Sequence, residues 1–307
     1  MMRRERGVAV VVAILIVALA TSTASYIVWH QSLWLRQVEN LTARAQADAL
    51  ARAAANWAAV ILAADDRAVD HLGEAWARKL PPIPAERAEL TGVITDEQGK
   101  LNVNNLVRDG DASAQDVVAF QHLLAALGLP TALAEAVVDW IDPDAEITPP
   151  NGAEDPYYLR LNPPYRAANR PVLELGELAR VKGFDAAIVA KLAPYVTALP
   201  VATAVNVNTA PAPVLQAIMP SLTGADVAKV LEERGRRPFA TRQEFLRALP
   251  NGTSSAQIDA QIDVNSRFFS AEATVRLGRV VTSYRALFQR DEQQGLPTLL
   301  AMTQVAI

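Results

Sequence analysis

Apolar residues run unbroken from Val8 to Ala20, pause over the small polar residues 21–25, and resume at Tyr26, Ile27, Val28 and Trp29. A bilayer core takes about 20 apolar residues as a helix. Residues 8–28 reach that length because Ser and Thr side chains bond back onto their own helix. Beyond Trp29 the pattern turns amphipathic, through Leu33, Leu41 and Leu50 into Ala-rich turns up to Leu62. No Gly or Pro falls between Gly7 and Gly73. The pattern predicts one long helix, half apolar and half amphipathic, ended by PPIP at 81–84 because proline cannot continue a helix.

Residues 90–95 alternate as a strand. DEQG at 96–99 reads as a tight turn with Gly99 left-handed, and 100–103 as the returning strand of a hairpin. Helical periodicity then takes over. Helices are predicted at 114–127, 131–141 with Thr131 as cap, 175–181, 186–195, 212–218, 224–234 and 241–249. Strand patterns return at 268–277, 279–290 and 296–305, separated by Gly278 and DEQQG. A helical block between two groups of strands reads as an insertion into one sheet packed on the long helix. The segments are a leader at 1–7, the long helix at 8–84, the first sheet portion at 85–106, a helical insert at 107–261 and the remaining strands at 262–307. The fold class is α+β.

Composition narrows the chemistry. The net charge is −4 and there is no cysteine. A mildly acidic chain lacks the basic face that phosphate binding needs. Without cysteine there is neither disulfide nor thiolate metal site. His30, His71 and His122 are far apart in sequence and have no zinc spacing. No nucleophile–base pairing is evident, so no catalytic residue is assigned.

Two segments raise site questions. KLNVNNL at 100–106 and AVNVNTAPAPVL at 204–215 share an apolar-Asn-apolar-Asn core, and Asn suits turns and caps. The second segment, with ADVAKVLEERGRRPFATRQEFL after it, resembles helix-hairpin-helix units of DNA-binding proteins. SLTGADVA and RVKGFDAA each keep one of the two glycines of that motif. A membrane-anchored DNA-binding module is therefore an alternative, and a shared helical architecture without the binding chemistry is the plainer reading. The loop 142–169 concentrates Asp142, Asp144, Glu146, Glu154 and Asp155, just after Asp139. Crowded carboxylates suit a hard cation such as Ca²⁺. A solvated acidic loop and a catalytic carboxylate pair remain open from spacing alone. Tyr157, Tyr158 and Tyr165 read as packing for that loop.

The N-terminus admits two readings. ALA at 18–20 would serve as a secretory cleavage site. The basic leader ending in Gly7 resembles that of type IV prepilins instead. That resemblance implies cutting by prepilin peptidase between Gly7 and Val8, with methylation of Val8. The family's usual glutamate at the fifth mature position is Val12 here, which implies a tip or initiating subunit.

The chain also resembles, nearly throughout, the minor pseudopilin K family of type II secretion systems. The resemblance is carried by DWIDPDAE, GAEDPYYLRLNPPYRAANRPVLELGELARVKGFD, LAPYVTALP and VNVNTAPAPVLQAI. It implies a type IV pilin-like fold with an inserted α-helical domain and no enzymatic activity. It also implies a tip complex with the I and J minor pseudopilins, initiation of pseudopilus assembly, and support of protein export across the outer membrane. Implied too are an inner-membrane anchor with a periplasmic head, contact with secretin or cargo, no nucleic-acid partner, and bound calcium. The candidate calcium ligands are Asp142, Asp144, Glu146, Glu154 and Asp155.

Overall fold

The structure is a computed structural model that describes residues 4–85, 88–250, 258–291 and 295–305. Helix α1 spans Arg4–Ala63, 60 residues, or about 90 Å at the helical rise. It ends well before the prolines. Pro81, Pro82 and Pro84 instead lie in a strand, β1 (Leu80–Ala85). That strand is an edge of its sheet, where a missing N–H is tolerated. The predicted leader begins outside the described residues; from Arg4 onward its backbone is helical.

Four more strands complete an antiparallel sheet: β2 (Ala88–Asp96), β3 (Phe268–Leu277), β4 (Val280–Gln289) and β5 (Thr298–Val305). They lie in spatial order β1-β2-β3-β4-β5. The sheet is thus a plain meander, opened once between β2 and β3 to admit residues 97–267. Its turn between β3 and β4 is Gly278 at φ 59°. Residues 292–294, within the predicted DEQQG turn, lie outside the described residues.

The lower half of α1 lies on this sheet. Ala47, Ala51, Ala55, Ala58 and Leu62 recur at helical spacing and are buried against Phe269, Ala271, Val275 and Phe288. Alanines on that face let the helix axis come close to the strands. Trp76, in the loop after α1, seals the end of the layer edge-on to Phe269, with ring centroids 5.2 Å apart. The upper half of α1 has no such cover.

The expected hairpin at 90–103 is not formed. β2 pairs with β1, while Leu101–Asn102 pairs in parallel with Val196–Thr197 inside the helical insert. The insert therefore begins at Glu97 rather than at 107. Gly99 is not left-handed; its need is space, because a Cβ there would lie 2.8 Å from Thr209 Oγ1.

Among the described residues the insert carries α2 (Ala114–Ala126), α3 (Leu133–Ile141), α4 (Asp155–Tyr158), α5 (Ala186–Leu192), α6 (Ala212–Ile218), α7 (Gly224–Arg236) and α8 (Arg242–Ala248), and residues 258–259 are helical as well. Thr131 does not cap α3. The N-cap is Ala132, and the Thr131 carbonyl accepts from Ala134 N instead. The insert has its own core around Phe120, Leu123, Val137, Trp140, Leu215 and Phe245.

The repeated asparagines hold the insert together. Asn104 Nδ2 donates to Val172 O and Leu199 O, both at 2.9 Å, and its Oδ1 accepts from Val172 N at 2.8 Å. Asn105 makes the same two-way exchange with the Thr203 backbone, and Asn208 with that of Phe239. Each carboxamide copies a peptide group, so irregular backbone is satisfied without a ladder.

Asn206 works at the joint with the sheet. Its Nδ2 reaches Asp70 O (3.0 Å), Asp96 Oδ2 (3.0 Å) and Ser266 Oγ (3.1 Å). Arg290 closes the joint. It donates to Asp65 (3.0 Å), to Asp70 and to Ser266 O (2.8 Å), and lies over the Phe269 ring.

Candidate functional site

The acidic loop is folded down onto α3. Asp139 lies in the last turn of α3 and Asp142 is its C-cap, so the two carboxylates project one turn apart. Asp139 is fully buried and accepts from Thr148 N at 3.0 Å. Gly152 passes so close that a Cβ would sit 2.1 Å from Asp139 Oδ2. Glu154, the N-cap of α4, makes no side-chain cap bond. The chain then returns to Asn169, left-handed at φ 43°, whose Nδ2 donates to Asp144 O at 2.6 Å.

The result is a set of unsatisfied oxygens. Asp142 Oδ1, Glu154 Oε1 and Asn169 Oδ1 are buried with no hydrogen-bond partner. Burial, then the charges of Asp144 and Asp139, pushes the Asp142 carboxyl up to about 7. Burial, then Asp139 and Asp142, pushes Glu154 up to about 7 as well. Orphaned acceptors among mutually repelling carboxylates are relieved by protons or by a cation, and an all-oxygen set suits a hard one.

Of the expected ligands, Asp142 and Glu154 each leave a buried oxygen unpartnered, and Asp144 acts on both through its charge and accepts from Asn169 at its carbonyl. Glu146 is exposed. Asp155 is taken by Arg166 Nη1 (2.9 Å) and Ala167 N (3.1 Å). Asp139 and Asn169 are additions. The spacing of Asp139 three residues before Asp142 was a legible signal; nothing in the sequence singled out Asn169.

Tyr158, Tyr165 and Trp140 pack the loop down. Tyr158 is buried with its ring 5.1 Å from Trp140 and 5.4 Å from Tyr165, and Tyr165 OH donates to Arg180 O at 2.8 Å. A second carboxylate group, Asp65, Asp70 and Glu74, has oxygens within 4.8 Å of one another. Arg290 already supplies its cation, and Glu74 Oε2 accepts from His71 N and Trp76 Nε1. It is a structural ion-pair cluster.

The helix-hairpin-helix likeness ends at its helix starts. Phosphate would sit at these N-termini, but Asp226 occupies that of α7 in a capping box with Thr223. Asp185 does the same at α5, accepting from Ile188 N at 2.8 Å. Arg234 turns inward to the Val207 and Ala210 carbonyls (2.7 and 2.6 Å).

At the other end, residues 8–63 contain a stretch long and apolar enough to cross a membrane, none of it buried in the fold. Thr21 Oγ1 donates to Val17 O (2.9 Å) and Thr23 Oγ1 to Leu19 O (2.8 Å), so both threonine hydroxyls of the polar pause are bonded back onto their own helix. Helical backbone runs through Gly7 and Val8, and Val8 and Val12 are exposed.

A protruding apolar helix continued into an antiparallel meander, interrupted by a helical insert, defines a pilin-like protein. Residues 99–201 and 205–265 each match a family model described as type II secretion system protein K. Type II secretion system protein K of Pseudomonas aeruginosa is 34% identical over 292 residues, spanning 91% of this chain and 86% of that one. Its counterpart in Aeromonas hydrophila is 34% identical over 319 residues, spanning 97% and 96%. The crystal structure of the GspK-GspI-GspJ complex from enterotoxigenic Escherichia coli contains a chain of the same fold. That chain superposes with a TM-score of 0.78 at 23% identity, covering 88% of this chain and all of that one. The chain belongs to the type II secretion system protein K family, the K-type minor pseudopilins.

Proposed function

We propose that this subunit is made as a membrane-inserted prepilin, cut by prepilin peptidase between Gly7 and Val8 and methylated on Val8. It then leaves the inner membrane at the tip of a short periplasmic pseudopilus. It would form that tip with the I and J minor pseudopilins, start assembly, and so support protein export across the outer membrane. The observation that carries the reading is Val12. The exposed apolar half of α1 has no carboxylate where a body subunit would need one for the terminal ammonium of a neighbour ahead of it. Burying an unpaired charge among apolar side chains is costly, so a subunit with nothing ahead of it is better without the acid. No catalytic role is part of this reading. Secretin and secreted cargo are the further contacts it proposes for the exposed helical insert.

Trp34, Val38, Leu41 and Val60 of α1 are exposed apolar side chains that the sheet does not cover, and they are the proposed seat for partner helices. Apolar burial at about 25 cal/mol per Å² would favour that packing, and leaving lipid would oppose it. Ca²⁺ is the proposed occupant of the acidic loop, held by Asp142, Glu154 and Asn169 with Asp139 and Asp144 supplying charge around it. The bound ion would pin the loop against α3, a structural role.

The test is co-purification of the full-length chain in detergent with the I and J minor pseudopilins of its own system. A stable equimolar complex is expected. A chain that purifies alone while the other two pair with each other would contradict the reading.

A further inference from the structure

The joint between sheet and insert encloses more acid than base. Asp70 is fully buried, and Asp65 lies half-buried beside it in the loop after α1. Arg290, itself buried, bridges the two, with Nη1 on Asp65 and Nη2 on Asp70. Glu74 brings an oxygen within 4.8 Å of both acids, and Asp96, at the end of β2, is buried on the insert side. The insert itself faces Asp70 with neutral groups, Asn206 and Ser266. Around the rim, Asp66 is exposed, His71 Nδ1 accepts from Gly73 N, and Arg67 donates to the Asp291 and Gly295 carbonyls.

The contacts tell these carboxylates apart. Asp96 accepts from Gln98 N (2.8 Å), Thr209 Oγ1 (2.6 Å), Ser266 Oγ (2.7 Å) and Asn206 Nδ2 (3.0 Å). Those donors favour its ionised form against the burial that raises its proton affinity. Asp65 and Asp70 instead hydrogen-bond to each other. Ionised carboxylates only accept, so that contact needs a proton on one of them. Burial pushes both acids up, Asp70 to about 7, against the opposing charge of Arg290.

We propose that Asp65 and Asp70 share one proton beneath Arg290, and that this proton makes the joint a pH-sensitive clasp. With the proton in place, Asp70 ties the loop after α1 to the insert. Its N–H donates to Val264 O (3.0 Å), its Oδ2 accepts from Ser266 N (2.7 Å) and its carbonyl accepts from Asn206 Nδ2 (3.0 Å). Without the proton, two adjoining carboxylates repel across one guanidinium and the loop loosens. The fold keeps this proton at pH values where the unfolded chain has lost it. The clasp's contribution to stability is therefore full below about pH 4 and is lost as pH rises to about 7.

Asp65→Asn tests this, because its Oδ1 can still accept from Arg290 while its Nδ2 donates permanently to Asp70. The full-length chain in detergent is unfolded in urea across pH 5 to 8. Asp142→Asn and Glu154→Gln are present in both arms, so only the pH dependence that survives without the acidic loop is read. The unfolding constant with Asp65 present, relative to that of Asp65→Asn, should rise about tenfold per pH unit between 5 and 7. Parallel pH profiles would overturn the proposal. Infrared spectra of the folded chain with Asp65 present give a second reading that needs no Asp65 variant. A protonated-carboxyl band at pH 5 that fades by pH 8 is expected, and a spectrum without one would overturn the proposal too.

Discussion

Asp142 and Glu154, at the two ends of the acidic loop's first turn back onto α3, each leave one buried carboxylate oxygen without a hydrogen-bond partner, and the Asp142 charge helps burial push Glu154 up. In metal-stripped protein Ca²⁺ should therefore raise the melting temperature. At 100 times the dissociation constant the gain is about 2.7 kcal/mol. Asp142→Asn should abolish the calcium response and, in chelator, melt no lower than the parent, because it removes repulsion. An unchanged calcium response in Asp142→Asn, followed by differential scanning fluorimetry, would remove these ligands from the account.

Gly152→Ala tests the same site through the backbone. The added methyl collides with Asp139 Oδ2 and lies 2.6 Å from the Thr148 carbonyl oxygen, so the loop must lift from α3. A loss of about 1–3 kcal/mol, typical of overpacking, and weakened calcium binding by isothermal titration are expected.

The loop should also give the ion-free protein a recognisable pH dependence. Asp142 and Glu154 are raised from 3.8 and 4.5 to about 7. Between those values the unfolded chain ionises while the fold holds its protons. The folded state binds more protons there, so the loop's contribution to stability falls as pH rises from about 4 to 7. In chelator, the double variant Asp142→Asn, Glu154→Gln should lose that dependence. In the parent, calcium affinity should rise over the same window as it displaces those protons. Denaturant melts at pH 5 and pH 8, with and without calcium, measure both.

Asn206→Ala removes the carboxamide that reaches Asp70 O, Asp96 and Ser266, and leaves Asn208 N, which bonded its Oδ1, unpaired. Leaving buried polar groups unsatisfied costs about 1–3 kcal/mol each. The joint between sheet and insert should weaken by several kcal/mol, lowering the melting temperature by about 10 °C or more. A drop of under about 2 °C would mean the joint is not held there.

Much of this architecture was legible in the chain. Strand β3 falls where Phe268 to Leu277 alternate, and α2, α6, α7 and α8 follow their apolar periods closely. The hairpin at 90–103 misled because short strands carry no label for their partner. Leu101 and Asn102 alternate correctly, yet pair with residues 196–197 through backbone contacts that only the folded insert creates. PPIP looked like a helix stop because a sheet edge cannot be told from a loop by proline alone. At the acidic loop, clustering singled out the segment that folds back onto α3 and leaves buried oxygens unpartnered. Clustering could not say that Arg166 would claim Asp155, or that a left-handed Asn169 would bring a neutral oxygen. Those depend on how the loop returns over Tyr158.

The central claim concerns the start of the mature chain, and intact and peptide mass spectrometry of the protein from its native membrane reads it directly. A methylated Val8 as first residue, with the apolar helix retained, is the predicted result. A mature chain beginning at Thr21, with that helix gone, would contradict it.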